Sequence, residues 1–217
     1  MMRDDHQLAE KTVAHLLQIN AIKINVRNPF TWVSGIRSPI YCDNRQILSY
    51  PDIRSAIASD LTTVVSQEFP DCDVIAGVAT GAIAHGVLVA DRLNKAFIYV
   101  RSSKKGHGLG NQVEGQLQPG SKVVVIEDLV STGQSSLAAV DALRSAGADV
   151  MGMVAIFSYE LPQAIQSMER SNCLLITLGN FSALLKQVAN KGMFSEIEVR
   201  MLSEWRNKPD TFYHGQI

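Results

Sequence analysis

Charge of a single sign is missing from this chain: 20 Lys and Arg stand against 21 Asp and Glu over 217 residues, a net charge of −1. Without a basic block there is no electrostatic footprint for polyanionic nucleic acid and no cationic stripe for an anionic membrane surface. Cysteine is scarce too. Cys42, Cys72 and Cys173 are odd in number and far apart, which fits neither a disulfide framework nor a zinc-type pair, so buried reduced thiols are expected. His6, His15, His85, His107 and His214 are equally scattered and form no ligand cluster. No run reaches the roughly 18 apolar residues of a membrane span. The opening residues, charged at Arg3, Asp4 and Asp5, lack the apolar stretch of a secretory signal. The expectation is a cytoplasmic protein with neither nucleic acid nor membrane as a partner.

What is present is the composition of an ordinary globular domain, 46% apolar and 19% charged. At this length one α/β domain over residues 1–217 is expected. Leu8, Val13, Leu16 and Leu17 recur at helical spacing over residues 7–18, as do Ile53, Ile57, Leu61 and Val65 over residues 51–68. Between them, residues 30–45 mix aromatic and polar groups broken by Gly35 and Pro39, a loop or hairpin. Short apolar runs at 73–78, 97–100, 122–127, 150–157 and 174–178 then alternate with helical patterns at 82–93, 134–146 and 162–169. Strands covered on both faces in this way predict a mainly parallel, doubly wound sheet with flanking helices. Residues 181–189 and 194–205 read as two terminal helices capping one end of the sheet. Residues 101–120 break the alternation with four glycines between 106 and 115 and three cations among seven residues, predicting a long mobile loop of the kind that serves as a lid.

Residues 123–136 carry the chemistry. Four apolar residues lead into Glu127 and Asp128, and Ser131, Thr132, Gly133, Gln134 and Ser135 then open a helix. The acids are expected at the carboxyl end of a buried strand, where ligands of open α/β sheets bind. The turn that follows offers hydroxyls and unpaired N–H groups at a helix N-terminus, an anion site suited to a phosphate monoester. Acids ahead of a phosphate cradle repel phosphate but accept hydrogen bonds from sugar hydroxyls, so the expected ligand is a sugar phosphate.

Residues 123–136 resemble the signature that binds phosphoribosyl pyrophosphate (PRPP) in the type I phosphoribosyltransferases. Residues 30–45, with Ser34 to Pro39 followed by Tyr41, Asp43 and Arg45, are similar to the N-terminal base-binding hood of the orotate phosphoribosyltransferases. Residues 74–84 are similar to their pyrophosphate loop, and Arg101, Lys105, His107 and Gly108 to their catalytic lid. The resemblance spans nearly the whole chain. It implies a type I phosphoribosyltransferase fold: hood in residues 1–50, PRPP-binding core in 70–180, C-terminal helices in 181–217. The implied reaction is transfer of phosphoribose from PRPP to orotate with Mg²⁺, in a homodimer whose lid reaches the neighbouring subunit's site.

Roles follow by position. Asp128, Lys105 and His107 are the implied catalytic residues. Glu127 and Asp128 would hold the ribose hydroxyls, and residues 131–135 the 5′-phosphate. Ala79, Thr80 and Gly81 would face the diphosphate, at a peptide bond that is often cis in the family, with Arg101 and Lys104 adding charge. Ser34, Gly35, Ile36, Arg37 and Ser38, together with Ser131, would cover orotate. The metal is expected to ride on PRPP rather than on a protein site of its own.

The pattern departs from some relatives where Val33, Gly81 and Ser102 replace lysines, and near residue 157, where an arginine that grips the orotate carboxylate is absent. Arg37 is the candidate replacement. Trp32, Trp205, Tyr41 and Tyr99 are expected mainly in packing, with Trp32 also beside the base loop, and His85 is expected to be a hydrogen-bonded core or surface residue. Two competing readings keep the fold. One changes the base to a purine or uracil, against which residues 30–45 argue. The other is a non-catalytic PRPP-sensing regulator that binds nucleic acid, which the neutral charge and the cationic lid disfavour.

Overall fold

The computed structural model describes residues 2–3, 6–32, 34–102 and 112–213. In chain order, β1 (Met2–Arg3) and α1 (His6–Gln18) precede four short strands, β2 (Ile22–Ile24), β3 (Phe30–Thr31), β4 (Arg37–Ser38) and β5 (Ile40–Cys42). A 3₁₀ helix, Asn44–Ser49, leads into α2 (Pro51–Glu68). The alternating core follows: β6 (Val74–Val78), α3 (Ile83–Leu93), β7 (Ala96–Val100), β8 (Val113–Glu114), β9 (Lys122–Val130), α4 (Gln134–Ser145), β10 (Asp149–Ser158), α5 (Pro162–Arg170) and β11 (Leu175–Asn180). Helices α6 (Phe181–Asn190) and α7 (Glu196–Asn207) complete it.

The main sheet has the order β1-β11-β10-β9-β6-β7-β8, parallel except for β8. Val74 to Val78 are buried throughout, as are Val123 to Ile126, so both faces are covered and the expected doubly wound sheet is present. From β6 the chain crosses through α3 to β7 on one side, and from β9 through α4 to β10 on the other. Right-handed crossovers running in opposite directions put α3 and α4 on opposite faces. The gap between β6 and β9 is therefore a topological switch point, open at the carboxyl ends of both strands.

Two boundaries differ from the sequence expectation in ways that matter. Strand β9 runs on to Val130, two residues beyond the acids, because Leu129 and Val130 continue the ladder with Phe157 and Ser158 of β10. On its other side, pairing with β6 stops at Ile126 opposite Gly77. Glu127 and Asp128 thus stand on a strand paired on one side only, where β6 has turned away. Within the 101–120 segment, Val113 and Glu114 form a strand rather than loop, opposite Val100 and Tyr99. Burial of Val113 drives that pairing.

Strands β2 and β5 pair antiparallel, as do β3 and β4, building the expected hood over the sheet end. Trp205 of α7 fastens it: the fully buried indole lies edge-on to Trp32 at 5.7 Å and donates from Nε1 to the Arg37 carbonyl at 3.0 Å. The terminal helices therefore reach beneath the hood as well as packing at the sheet end. The three cysteines are buried and free.

Candidate functional site

A cavity of about 390 Å³ opens at the switch point, lined by Glu127 and Asp128 from β9, Ala79, Thr80 and Gly81 from the loop after β6, and the first turn of α4. A second, of about 450 Å³, lies beside it under the hood, walled by Trp32, Ser34, Tyr41, Leu129 and Tyr159. Cys42, Leu129, Ser131 and Ser135 line both, so the two cavities form one continuous crevice.

The acids differ in setting. Glu127 is buried; Oε1 accepts the Asp128 N–H at 3.0 Å and Oε2 accepts the Ser136 hydroxyl at 2.8 Å. Burial pushes its carboxyl well above the usual carboxylate range, and the charge of Asp128 pushes it further. Asp128 is raised as well, burial again the largest cause, while its hydrogen bond with Glu127, nearby amides and the Arg45 guanidinium act against the shift. The pair therefore holds a proton more readily than two separate surface acids do. The Asp128 carbonyl accepts from Asn44 Nδ2 at 2.5 Å, which ties the hood to the acid strand.

The loop after β6 fits tightly beneath Asp128. Ala79 and Thr80 are joined by a cis peptide bond, as the resemblance implied. Gly81 meets the Asp128 carboxylate so closely that a methyl group would lie 2.7 Å from Oδ1. That contact leaves no room for a side chain at position 81. Ala79 N–H donates to Val100 O at 2.8 Å, joining the loop to β7. On the opposite wall, Gly133 begins α4 at φ +80°, a left-handed conformation that favours glycine, and no side chain caps the helix. The first-turn N–H groups remain available to an anion.

Most of the sequence-predicted residues meet here: Ala79, Thr80, Gly81, Glu127, Asp128 and Gly133 in the first cavity, Ser34, Thr132 and Gln134 in the second, Ser131 and Ser135 in both. Others lie apart. Gly35 is at the exposed tip of the β3–β4 turn, Ile36 is buried, and the buried Ser38 hydroxyl donates to Ile40 O at 2.7 Å. The Arg37 guanidinium sits 5.5 Å over the Tyr213 ring and lines a different cavity with Arg27 and Glu198, so it does not face the space expected for orotate. Arg101 lies at the end of β7, with Nη1 3.6 Å from Glu114 Oε1, and lines neither cavity. Lys104, Lys105 and His107 lie outside the described residues, as does Val33.

Sequence reasoning missed Ser136, Cys42 and Asn44, and passed over Arg45 as a site residue. Ser136 was within reach, since it opens the same helix turn as Ser135. His85 departs from expectation: it is fully buried on α3, and neither ring nitrogen has a hydrogen-bond partner among the described residues. Burial lowers its pKa to about 4, so it is neutral. Among the described residues no group of three acids, histidines or cysteines forms a metal site, and no helix is long and apolar enough to cross a membrane.

Comparison with known proteins agrees with this geometry. The profile of the family described as "Phosphoribosyl transferase domain" matches residues 46–173. Orotate phosphoribosyltransferase of Porphyromonas gingivalis is 51% identical over 205 residues, covering 94% of this chain and 98% of that protein. The protein of the same name from Bacillus cereus is 48% identical over 202 residues, covering 93% and 96%. Among solved structures, orotate phosphoribosyltransferase from Aeropyrum pernix superposes with a TM-score of 0.73 at 28% identity, covering 84% of this chain and 99% of that one. Leishmania donovani UMP synthase gives 0.76 at 26% identity, with 91% of this chain and 42% of that one covered.

Proposed function

This chain belongs to the orotate phosphoribosyltransferases, of the phosphoribosyl transferase family, and from that premise we propose how its residues carry the reaction. The enzyme transfers the phosphoribosyl group of PRPP to orotate, giving orotidine 5′-monophosphate and pyrophosphate in pyrimidine nucleotide synthesis. One observation carries the residue assignment: a half-paired strand bearing Glu127 and Asp128 runs into an uncapped helix N-terminus beside the Ala79–Gly81 loop.

In our reading the 5′-phosphate sits on Ser131, Thr132, Gly133, Gln134 and Ser135, where N–H groups and hydroxyls offset its charge. Asp128 accepts from the ribose hydroxyls. Glu127, already bonded to Ser136 and to the Asp128 N–H, aims Asp128, whose carboxylate adds negative potential beneath the sugar. That potential grows in value as the anomeric carbon gains oxocarbenium character. Ala79, Thr80 and Gly81 receive the departing diphosphate, and orotate enters the adjoining cavity between Trp32, Tyr41 and Tyr159. The oxygen-only donor set around Asp128 suits Mg²⁺, which takes one or two carboxylates together with substrate oxygens. Carried mainly by PRPP, the ion would be held there by Asp128 and would supply neutralisation of the diphosphate charge.

Arg101, Lys104, Lys105 and His107 close over the diphosphate and exclude water, with Lys105 and His107 acting across a homodimer. Residues 1–217 form a single phosphoribosyltransferase domain, and the dimer works in the cytoplasm. The test is absorbance at the orotate band with PRPP and Mg²⁺, with uracil and hypoxanthine as controls. Orotate alone is consumed, and Asp128→Asn abolishes its consumption while the folded spectrum is kept. Equal use of uracil or hypoxanthine would overturn the base assignment.

A further inference from the structure

Three carboxylates line the switch-point cavity, Asp43, Glu127 and Asp128, against a single cation among the described residues, Arg45. Even with a proton shared between Glu127 and Asp128, such a wall disfavours a diphosphate, and a cation standing in it offsets that repulsion. The loop after β6 offers no cationic side chain, and Gly81 has no room for one, since any Cβ there meets the Asp128 carboxylate.

Arg45 is held as a directed donor. Its Nε donates to Asp43 Oδ1 at 2.6 Å and its Nη2 to Asp43 Oδ2 at 3.0 Å, a fork-to-fork pair that fixes the guanidinium plane. The fork uses two of the five N–H donors of an arginine and leaves Nη1 on the far side. Asp43 is anchored in turn, its N–H donating to Ala21 O at 2.8 Å. Asn44, between them, is buried and bonded to the Asp128 carbonyl, so the segment bearing Arg45 is fastened to the acid strand. The Arg45 side chain is 61% exposed, and an ion pair that open adds little stability. Asp43 also caps the 3₁₀ turn by accepting the Arg45 N–H at 3.3 Å, and the fork beyond that cap holds the guanidinium in a fixed direction.

We propose that Arg45, oriented by Asp43, binds the diphosphate end of PRPP, supplying the charge that the glycine at position 81 cannot carry. The assignment rests on the function proposed above and deepens it. The proximity of Arg45 to Asp128, which lowers the pull of that carboxyl for a proton, is consistent with a cation at the same wall.

The test compares wild type, Arg45→Gln, Arg45→Lys and Asp43→Asn, in Mg²⁺, by calorimetric titration with inorganic pyrophosphate and with orotidine 5′-monophosphate, and by steady-state kinetics. Arg45→Gln should weaken pyrophosphate binding and raise KM for PRPP by about tenfold or more, the scale of one charge-assisted contact. Its affinity for orotidine 5′-monophosphate, which has no diphosphate, should stay within about twofold of wild type. Arg45→Lys restores part of the loss, and Asp43→Asn falls between, because the charge remains but its aim is lost. Unchanged pyrophosphate affinity in Arg45→Gln, or an equal loss for both ligands, overturns the proposal. A wild type that neither consumes orotate nor binds pyrophosphate would instead overturn the function on which it rests.

Discussion

The carboxylate of Asp128 lies directly against the backbone of Gly81, 47 positions earlier in the chain, so that a methyl group on Gly81 would come 2.7 Å from Oδ1. The acid that faces the sugar and the loop that faces the diphosphate are thereby in contact. Displacing either displaces the other.

Gly81→Ala should destabilise the protein by about 1–3 kcal/mol, the usual cost of overpacking. It should also raise KM for PRPP with little change in KM for orotate. Gly81→Lys, which introduces a cation beside the diphosphate site, should lose PRPP affinity rather than gain it, since its Cβ meets the same carboxylate. Urea denaturation and steady-state kinetics measure both effects, and improved PRPP binding by Gly81→Lys would contradict the packing described.

Glu127 sets a stability cost that varies with pH. Its folded pKa lies well above the ordinary value of 4.5 because of burial and the charge of Asp128. Below 4.5 folded and unfolded states are both protonated; as pH rises, the unfolded state ionises while the fold resists, so stability is lost. Glu127→Gln should therefore have a higher urea midpoint than wild type at pH 7, with the two converging on acidification. Its turnover should fall. A midpoint below wild type at pH 7 would show that the Ser136 and Asp128 bonds outweigh the burial of charge.

His85 acts with the opposite sign. Burial lowers its pKa from 6.5 to about 4, so the unfolded chain takes up a proton that the fold refuses. Stability present above pH 6.5 is lost as pH falls, by about 2 kcal/mol at pH 5. His85→Leu removes that loss and leaves no unpartnered ring nitrogen in the core. Urea titrations of both proteins at pH 7 and pH 5 give the difference directly; equal slopes with pH would place the ring in contact with water.

Trp205 holds the hood from the far end of the chain. Trp205→Ala should cost about 3–5 kcal/mol, the range for a large buried aromatic. Trp205→Phe keeps a ring but strands the Arg37 carbonyl, at about 1–3 kcal/mol. The Phe variant should raise KM for orotate while PRPP affinity, read by calorimetry, stays near wild type. A loss confined to PRPP would mean that the hood does not form the base cavity.

Mixing Lys105→Ala chains with Asp128→Asn chains tests whether the lid acts between subunits. Neither protein alone turns over orotate. Statistical reassociation makes half the dimers mixed, each with one intact site, so about a quarter of wild-type activity should return. No recovery after exchange is demonstrated by mass spectrometry would place the lid in its own subunit's site.

The sequence by itself determined what depends on neighbours along the chain. Alternating apolar runs and helical stripes gave the doubly wound sheet because covered strands must read as apolar runs. The order of residues 123–136 gave an acid pair feeding a phosphate cradle because strand, turn and helix start are contiguous there. The reach of β9 past the acids was not legible, since Leu129 and Val130 are held by partners on β10. Arg37 looked suited to the base site in sequence, yet its ring partner, Tyr213, lies 176 positions away and draws it to another cavity. Only the tertiary structure decided that Arg45 faces the acids, that Asn44 bonds to the Asp128 carbonyl 84 positions on, and that His85 has no partner among the described residues. Local pattern fixes which elements form, because backbone conformation answers to adjacent residues. Which side chains meet across them is set by how the packed elements cross, and no spacing along the chain encodes that crossing.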